Sequence, residues 1–421
     1  MSILQEQLSS YGDTYWDFNK VTRSGIHKLA NYPAMMVAPM QHKIIEDIVE
    51  IEGNISNILD PFHGSGTTLV EGNKFNLDLI GIDINPLANL ITRVKLNGID
   101  QGTILDSLAK LESNITEQLN TGIELFNFNK IEKWFREDII HDLTIIRNSI
   151  MLEENTKNRM YFWVCLSDLV RKYSNTRSST FKLHIKEQDK IKNMENNILS
   201  EFLQSTKKNY KNLEVEKNNS KKIIQGDTLK ELKTLNNESI DLICTSPPYG
   251  DNSTTVTYGQ FSILSLLWIK IDDLCVSNET LMSNFSAIDT NSLGGKKKAS
   301  ISEFMPNTLS RILSQISLDK QVKVERFFSD YFLSLYEMIR VLKNGHLMVL
   351  TLGNRRVDNI EIQLDEITKE FCESQGMLME VELKRQIPRK RMPKKVSRIK
   401  NHGSVSSMNN ETVLILRKKE W

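Results

Sequence analysis

Apolar residues follow two patterns along this chain of 421 residues. Short apolar runs stop at an acid, a glycine or a proline, which is typical of buried strands. In other segments leucine and isoleucine recur every three or four residues, and this spacing predicts amphipathic helices. Because the two patterns alternate, they predict an α/β fold with a mainly parallel sheet. The predicted strands span 57–60, 77–83, 223–227, 241–246 and 346–352.

The spacing of these strands predicts how the chain is divided. Residues 101–220 contain few glycines and carry leucine and isoleucine at helical spacing. We therefore predict a large helical insertion between the second and third strands. The flanking segments, 1–100 and 221–421, are expected to build the sheet together.

The C-terminal part of the chain predicts the closing elements of the sheet. An amphipathic helix is expected over 324–342, with Gly345 as its C-terminal cap. Apolar runs at 377–383 and 412–417 predict an antiparallel pair after the last parallel strand.

A glycine turn follows the first predicted strand. Residues 60–68 read Asp-Pro-Phe-His-Gly-Ser-Gly-Thr-Thr, and Gly64 and Gly66 allow the backbone to approach a ligand closely. Asp60 can accept a hydrogen bond from a cationic amine. About 20 residues later Asp83 ends the second strand, where a carboxylate can accept both hydroxyls of a ribose. The segment lacks Gly-Lys-Ser/Thr and is therefore not a phosphate-binding P-loop.

The fourth predicted strand ends in Ser-Pro-Pro-Tyr at 246–249. Neither proline can donate to a sheet ladder, so the strand stops at Ser246 and a stiff turn follows. A hydroxyl and a free carbonyl in this turn are acceptors that suit a planar NH₂ group, and the Tyr249 ring can stack on a base. Taken alone, the motif favours the structural interpretation, a proline turn with a packed tyrosine.

These motifs resemble those of the amino-methyltransferases that transfer a methyl group from S-adenosylmethionine (SAM) to DNA. Residues 60–68 are similar to motif I of that family, and Thr245–Tyr249 to motif IV. Ser-Pro-Pro-Tyr is the form usual in N4-cytosine enzymes, whereas N6-adenine enzymes more often carry Asp or Asn in place of the serine. The resemblance implies a Rossmann-like SAM-methyltransferase sheet with SAM as cofactor. Motif I precedes motif IV, so the order resembles the alpha group if residues 101–220 read DNA.

The resemblance also implies roles for individual residues. The segment 32–34 is similar to motif X, which closes over the methionine end of SAM; an ordinary N-terminal arm is the alternative. Asp227 matches the motif III acid, which accepts from the adenine amine of the cofactor. The implied cofactor-binding residues are Tyr32, Pro33, Ala34, Asp60, Phe62, Gly64, Ser65, Gly66, Thr67, Thr68, Asp83, Ile84 and Asp227. The implied catalytic residues are Ser246, Pro247, Pro248 and Tyr249, with Tyr258 and Phe261 as further aromatic candidates for the base pocket.

Any contact with DNA must come from local basic patches, because the net charge is only +1. The stretch 171–184 is rich in Arg, Lys and hydroxyl side chains, and the block 384–400 holds nine Lys or Arg and no acid. Solvated loops are the alternative interpretation of both segments. The candidate DNA-binding residues are Arg171, Arg177, Lys182, Lys296, Arg389, Lys390 and Arg391.

Composition narrows the protein class. The four cysteines are widely spaced and form no Cys-x-x-Cys pair, which argues against a metal site or a disulfide framework and favours a reducing cytoplasm. No run of about 18 apolar residues and no signal sequence is recognised, so neither a membrane nor a secretory route is expected. The Pro-Cys nucleophile of cytosine-C5 methyltransferases is also absent from the sequence.

Together, the motifs predict a site-specific DNA methyltransferase that acts on the N4 amine of cytosine in duplex DNA by base flipping and direct transfer. The resemblance further implies a bacterial or phage restriction-modification setting, with a cognate restriction endonuclease as a candidate partner. N6-adenine methylation of DNA is the main alternative. An RNA methyltransferase and a non-catalytic nucleic-acid-binding module are weaker alternatives.

Overall fold

The computed structural model describes residues 2–19, 21–213, 217–252, 254–276, 279–295, 304–387, 395–398, 404–406 and 410–420. Some of the residues expected to contact DNA lie outside this part of the chain. They are Lys296, Arg389, Lys390 and Arg391.

Strands and helices alternate along most of the chain. The strands are β1 (Asn57–Asp60), β2 (Asp78–Asp83), β3 (Lys221–Gln225), β4 (Ile240–Thr245), β5 (Leu342–Gly353), β6 (Arg355–Val357), β7 (Ile360–Ile362), β8 (Met377–Gln386), β9 (Lys395–Arg398), β10 (Ser404–Ser406) and β11 (Asn410–Lys418). The helices are α1 (Ile3–Ser10), α2 (Ala38–Glu52), α3 (Thr67–Lys74), α4 (Pro86–Asn97), α5 (Ile104–Asn120), α6 (Ile131–Trp134), α7 (Glu137–Met151), α8 (Thr156–Tyr173), α9 (Gln188–Lys192), α10 (Ile198–Asn209), α11 (Thr228–Leu232), α12 (Tyr258–Trp268), α13 (Ala287–Asn291), α14 (Asn307–Leu313), α15 (Leu318–Val341) and α16 (Leu364–Ser374). Short 3-10 helices span Tyr15–Asp17, Gly25–Lys28, Tyr210–Asn212, Ile271–Leu274 and Glu279–Met282.

The main sheet contains seven strands in the order β3-β2-β1-β4-β5-β11-β8. Neighbours from β3 to β5 pair in parallel, whereas β11 runs antiparallel to both β5 and β8. The predicted α/β sheet with a closing antiparallel pair is therefore confirmed, and α5 to α10 form the predicted helical insertion between β2 and β3.

The pairing of β1 with β4 decides where the two sequence motifs meet. Ile58 lies opposite Leu242, and Leu59 lies opposite Ile243, in parallel register. The carboxyl ends of these two strands therefore lie side by side, and so do the glycine turn and the proline turn that follow them.

Both faces of the sheet are covered by helices. Because side chains alternate along a strand, Ile58 and Leu59 of β1 enter different hydrophobic clusters. One cluster includes side chains of α2, α4 and α8, and the other includes side chains of α11, α15 and α16. Each fully buried leucine or isoleucine contributes about 1.5–3 kcal/mol relative to an exposed one. The inserted helix α8 thus shares its core with β1.

The end of α15 differs from the prediction. The helix stops at Val341, and Gly345 lies inside β5 rather than at a helix cap. The prediction was wrong because Leu342 is already extended and pairs with Ile240. The register shifts between Ile240 and Leu242, and Gly345 has a φ of +75°, a conformation that glycine adopts without strain at such an irregularity.

Candidate functional site

The carboxyl ends of the parallel strands open into a cleft of about 1940 Å³. In an open α/β sheet this edge is where ligands bind. The cleft is lined by most of the residues singled out in the sequence: Tyr32, Pro33, Ala34, Phe62, Gly64, Ser65, Thr67, Asp83, Ile84, Asp227, Ser246, Pro247, Pro248 and Tyr249. Asp60, Gly66 and Thr68 are buried and are not among its lining residues.

We divide the cleft into two sides. The glycine side comprises residues 60–68 with Asp83 and Asn85. The proline side comprises residues 246–252 and 254–257 with Arg355, Arg385 and Glu411.

Asp60 connects the two sides of the cleft through its hydrogen bonds. Its Oδ1 accepts from the Thr245 hydroxyl at 2.6 Å and from the Phe62 amide at 3.1 Å. Its Oδ2 is buried and has no hydrogen-bond partner among the described residues. Burial raises the pKa of Asp60 to about 6, although the Thr245 hydrogen bond opposes that shift. A cationic group would satisfy the remaining oxygen and favour the ionised carboxylate.

The glycine turn is held by the second acid. The Gly64 amide donates to Asp83 Oδ2 at 2.9 Å, and the Asn85 amide donates to Oδ1 at 2.8 Å. Burial raises the pKa of Asp83. Gly64 has a φ of +50°, and a Cβ there would lie 3.4 Å from the Tyr32 ring. The backbone of the turn therefore faces the cleft next to Tyr32, and a ligand can approach it closely there.

An aromatic wall faces this turn. The Tyr32 ring stacks on Tyr258 with centroids 5.9 Å apart and meets the edge of Phe261 at 6.1 Å. Asn85 Nδ2 fixes the wall by donating to the Tyr32 hydroxyl at 3.0 Å and to Ser262 Oγ at 2.8 Å. The Asn-Pro pair indicates a helix start in the sequence, but nothing local indicates this second role of Asn85.

On the proline side, the hydroxyls of Ser246 and Tyr249 lie 3.2 Å apart. Ser246 Oγ also lies 3.1 Å from the Thr351 carbonyl, to which it can donate. The Tyr249 hydroxyl donates to Glu411 Oε1 at 3.1 Å. Burial, followed by the charge of Glu411, raises the pKa of Tyr249 well above its usual value, so the side chain is a neutral phenol.

Glu411 and Arg385 were not predicted as site residues. Arg385 Nη1 donates to Glu411 Oε2 at 2.9 Å, and the Arg385 side chain is only 5% exposed. In the sequence, Arg385 belongs to the basic block that suggested phosphate contact, and Glu411 precedes an ordinary apolar run. Their cross-strand pairing between β8 and β11 brings them together, and that pairing is visible only in three dimensions.

The loop after the proline turn contains buried polar atoms without partners. Among the described residues, Asn252 Oδ1, Thr257 Oγ1 and the Nε and Nη2 atoms of Arg355 receive or donate no hydrogen bond. Arg355 Nη1 donates to Thr254 Oγ1 at 2.8 Å. A Cβ on Gly250 would lie 2.4 Å from the Arg355 guanidinium carbon, so the guanidinium packs directly against the backbone of this glycine.

The remaining candidates for DNA contact lie at or near the rim of the cleft. Arg171 donates to the Thr180 carbonyl and lies 4.6 Å from the Phe261 ring centroid, and burial lowers its pKa to about 10. Arg177 is exposed and Lys182 is half-buried. The Leu183 amide donates to Gln260 Oε1 at 3.1 Å, which fixes this stretch of the insertion against α12.

Two features of the described residues bear on the class of protein. No group of three or more His, Cys, Asp or Glu is arranged to hold a metal ion. No helix in the same part of the chain is long and apolar enough to cross a membrane.

Two known methyltransferases align with this chain over most of its length, and a family model and a solved structure match parts of it. A sequence model of the DNA methylase family that covers N6 and N4 enzymes matches residues 4–92. The type II methyltransferase M.MvaI of Kocuria varians is 33% identical over 427 residues, which cover 95% of this chain and 92% of that protein. The type II methyltransferase M.BsoBI of Geobacillus stearothermophilus is 22% identical over 428 residues, covering 88% and 82%. A candidate DNA modification methylase of Thermus thermophilus, crystallised with SAM, overlaps 47% of this chain and 54% of its own at 15% identity and a TM-score of 0.23.

Proposed function

The chain belongs to the SAM-dependent type II DNA methyltransferases, and from this premise we propose that it methylates the exocyclic N4 amine of cytosine in duplex DNA. The observation that carries the proposal is the parallel pairing of β1 with β4, reinforced by the 2.6 Å hydrogen bond from Thr245 to Asp60. It supports the proposal because the glycine turn and the Ser-Pro-Pro-Tyr turn line the same cleft.

The glycine side has the donor and acceptor set that SAM requires. Asp60 would accept from the α-amino group, because its Oδ2 is otherwise unsatisfied. Asp83 would accept the ribose hydroxyls, Ile84 would cover the adenine, and Asp227 would accept from the adenine amine. Tyr32, Pro33 and Ala34 would close over the methionine end, and the other expected cofactor residues form the turn itself. Bound SAM supplies an electrophilic methyl group on a sulfonium.

The proline side has the groups that a nucleobase amine requires. Tyr249 would stack on the base, which must first leave the helix stack at a cost of a few kcal/mol. Ser246 Oγ and the Pro247 carbonyl would accept the two amine hydrogens and orient the nitrogen lone pair toward the donor. Pro248 stiffens the turn. The acceleration then comes mainly from alignment and electrostatics rather than from a covalent intermediate.

The serine at position 246 supports cytosine over adenine, because the related N6-adenine enzymes more often carry Asp or Asn there. The same geometry is compatible with an adenine amine, which makes N6-adenine methylation the second candidate. Digestion of DNA methylated by the purified protein, followed by mass analysis of the nucleosides, separates the two. We expect N4-methyldeoxycytidine; N6-methyldeoxyadenosine would replace the proposal with its alternative.

We further propose that residues 101–220 contribute to recognition of the target sequence, while 1–100 and 221–421 form the catalytic part. The contact of Leu183 with Gln260 supports this division, since it places the basic stretch of the insertion beside α12. Arg171 would then support that stretch, and Arg177 and Lys182 would contact phosphates. A parallel assay with duplex DNA and with RNA of the same sequence tests the nucleic-acid class, and we expect transfer to the duplex DNA only.

The proposed setting is a restriction-modification system with a cognate endonuclease. A host that expresses the methyltransferase should become protected from a nuclease with the same recognition sequence. Sequencing of genomic DNA from such cells would define that sequence.

A further inference from the structure

A continuous chain of contacts leads from the proposed amine acceptor to a carboxylate. Ser246 Oγ lies 3.2 Å from the Tyr249 hydroxyl, which in turn lies 3.1 Å from Glu411 Oε1. Glu411 lines the cleft and its side chain is 17% exposed, so the carboxylate can exchange a proton with solvent when the cleft is open.

The Tyr249 phenol donates its only proton to Glu411 Oε1, so its oxygen can serve as an acceptor. The Ser246 hydroxyl has two acceptors within reach: it donates to the Thr351 carbonyl at 3.1 Å, and rotation of its hydrogen lets it donate instead to the Tyr249 oxygen at 3.2 Å. A lone pair of Ser246 Oγ remains free to accept a proton from an amine.

Two side chains hold the Glu411 carboxyl group in place. Arg385 of β8 donates to its second oxygen, and Tyr249 donates to the first. On α16, a further acid, Asp365, is occupied by the hydroxyl of the neighbouring Thr412 at 2.9 Å. The chain of contacts therefore ends at Glu411, a carboxyl group that can take up a proton.

We propose that Glu411 receives the proton released by the methylated amine, through Ser246 and Tyr249. This inference rests on the proposed function. The N4–CH₃ bond forms as the S–CH₃ bond breaks, and the bonding electrons remain on sulfur as a thioether. One N4 proton passes to Ser246 Oγ, the Ser246 proton passes to the Tyr249 oxygen, and the Tyr249 proton passes to Glu411. Glu411 returns the proton to solvent when product leaves.

Because Glu411 acts through Tyr249, it is a positioning and relay residue rather than one that touches the base. The variant Glu411→Gln keeps an acceptor for the Tyr249 hydroxyl but cannot take up a proton. Tyr249→Phe keeps the stacking ring and interrupts the relay at its middle. Glu380→Gln is a matched control, since Glu380 is also paired with an arginine, Arg417, in the same hairpin but away from the cleft.

The test is a single-turnover measurement of methyl transfer at saturating SAM and DNA, over a range of pH. Glu411→Gln and Tyr249→Phe should each slow transfer by roughly 100-fold, a typical contribution of positioned proton transfer. Affinity for SAM and for DNA should stay within about twofold of wild type, as should the transfer rate of Glu380→Gln. The pH profile of transfer should differ between wild type and Glu411→Gln, because only the wild-type side chain can take up the proton.

The double variant distinguishes one shared proton relay from independent effects of the two substitutions. If both residues act in one chain, Glu411→Gln with Tyr249→Phe should be no slower than the slower single variant. Wild-type rates in either single variant, or an unchanged pH profile in Glu411→Gln, would overturn the relay. Failure of the wild-type protein to methylate any DNA would instead overturn the proposed function itself.

Discussion

The two sides of the cleft differ in how completely their polar groups are satisfied. On the glycine side, Asp83 already holds the amides of Gly64 and Asn85, and Asp60 Oδ2 is left without a partner among the described residues. On the proline side, atoms of Asn252, Thr257 and Arg355 are buried without partners in the same part of the chain.

An unsatisfied buried polar atom costs about 1–3 kcal/mol. We infer that the glycine side is formed before SAM binds and that its one open acceptor marks where the cofactor attaches. We propose that the loop on the proline side gains further hydrogen-bond partners when DNA binds. Substitutions should therefore separate cofactor binding from catalysis.

Tyr249→Ala should give the largest effect, because it removes the proposed stacking platform and the link between Ser246 and Glu411. Methyl transfer should fall by about 100-fold or more, since small misplacements of a reacting group cost that much. Affinity for SAM, measured by calorimetry, should remain close to wild type. The exposed Tyr336 on α15 provides the control, and Tyr336→Ala should leave both quantities unchanged. Loss of SAM binding in Tyr249→Ala would contradict the separation of the two sides.

Asp60→Asn should weaken SAM binding, which Tyr249→Ala is expected to leave unchanged. Loss of a charge-assisted hydrogen bond worth about 1.5–3 kcal/mol predicts roughly 10- to 100-fold weaker SAM binding. Because burial raises the pKa of Asp60 to about 6, wild-type affinity for the cationic cofactor should decrease as the pH falls through that value. The side-chain amide introduced by this substitution is not protonated in this range, so the variant should lose that part of the pH dependence.

A control for this variant lies on the neighbouring strand. Asp78 at the exposed start of β2 accepts from the Ser220 amide, far from the carboxyl ends of the strands. Asp78→Asn should bind SAM normally by calorimetry. Unchanged affinity in Asp60→Asn would remove Asp60 from the cofactor site.

Hydrogen exchange measured by mass spectrometry tests the comparison without any substitution. In the free protein, amides of residues 250–257 should exchange roughly tenfold or more faster than those of 62–70, because the proline-side loop has more unsatisfied polar groups. Addition of duplex DNA containing the target site should slow exchange in 250–257 and leave 62–70 nearly unchanged. Equal protection of both segments in the free protein would argue that the two sides do not differ.

Gly66→Ala should give the smallest effect, on stability. Gly66 has a φ of +77°, and a Cβ there would lie 2.7 Å from the Thr92 side chain. The strained backbone should cost about 1–3 kcal/mol and lower the melting temperature by several degrees. Gly122→Ala is the control, since nothing lies within 4 Å of its Cβ position and its φ is not in the left-handed region. A melting temperature of Gly66→Ala equal to wild type would show that the turn tolerates a different conformation.

The same difference between the two sides explains what the sequence could predict. The glycine side is built from residues within about one strand, one turn and one helix, so its spacing along the chain indicates its geometry. The strands and the closing pair were predictable because apolar periodicity reports burial, whereas the Rossmann-like arrangement of the sheet was implied by the family resemblance. The end of α15 was not, because β5 pairs with β4 from Leu342 onward and overrides the helix-capping signal of Gly345.

On the proline side, only the Ser-Pro-Pro-Tyr turn could be predicted from the sequence. Tyr249 meets Glu411 across 162 residues, and Ser246 meets Thr351 across 105. Arg385 looked like part of a basic block until its pairing with Glu411 was seen. Such contacts depend on the register of β5, β8 and β11, which no local pattern specifies.

The most direct test of the central claim is a crystal structure of the protein with an unreactive SAM analogue and a duplex containing the target site. The account predicts that the analogue lies on the glycine turn and that an unstacked cytosine lies on Tyr249. Its N4 atom should be about 3–3.5 Å from the position of the transferable methyl carbon. A base bound outside the cleft, or an analogue bound away from Asp60 and Asp83, would contradict the claim that these two strand ends form one methyl-transfer site.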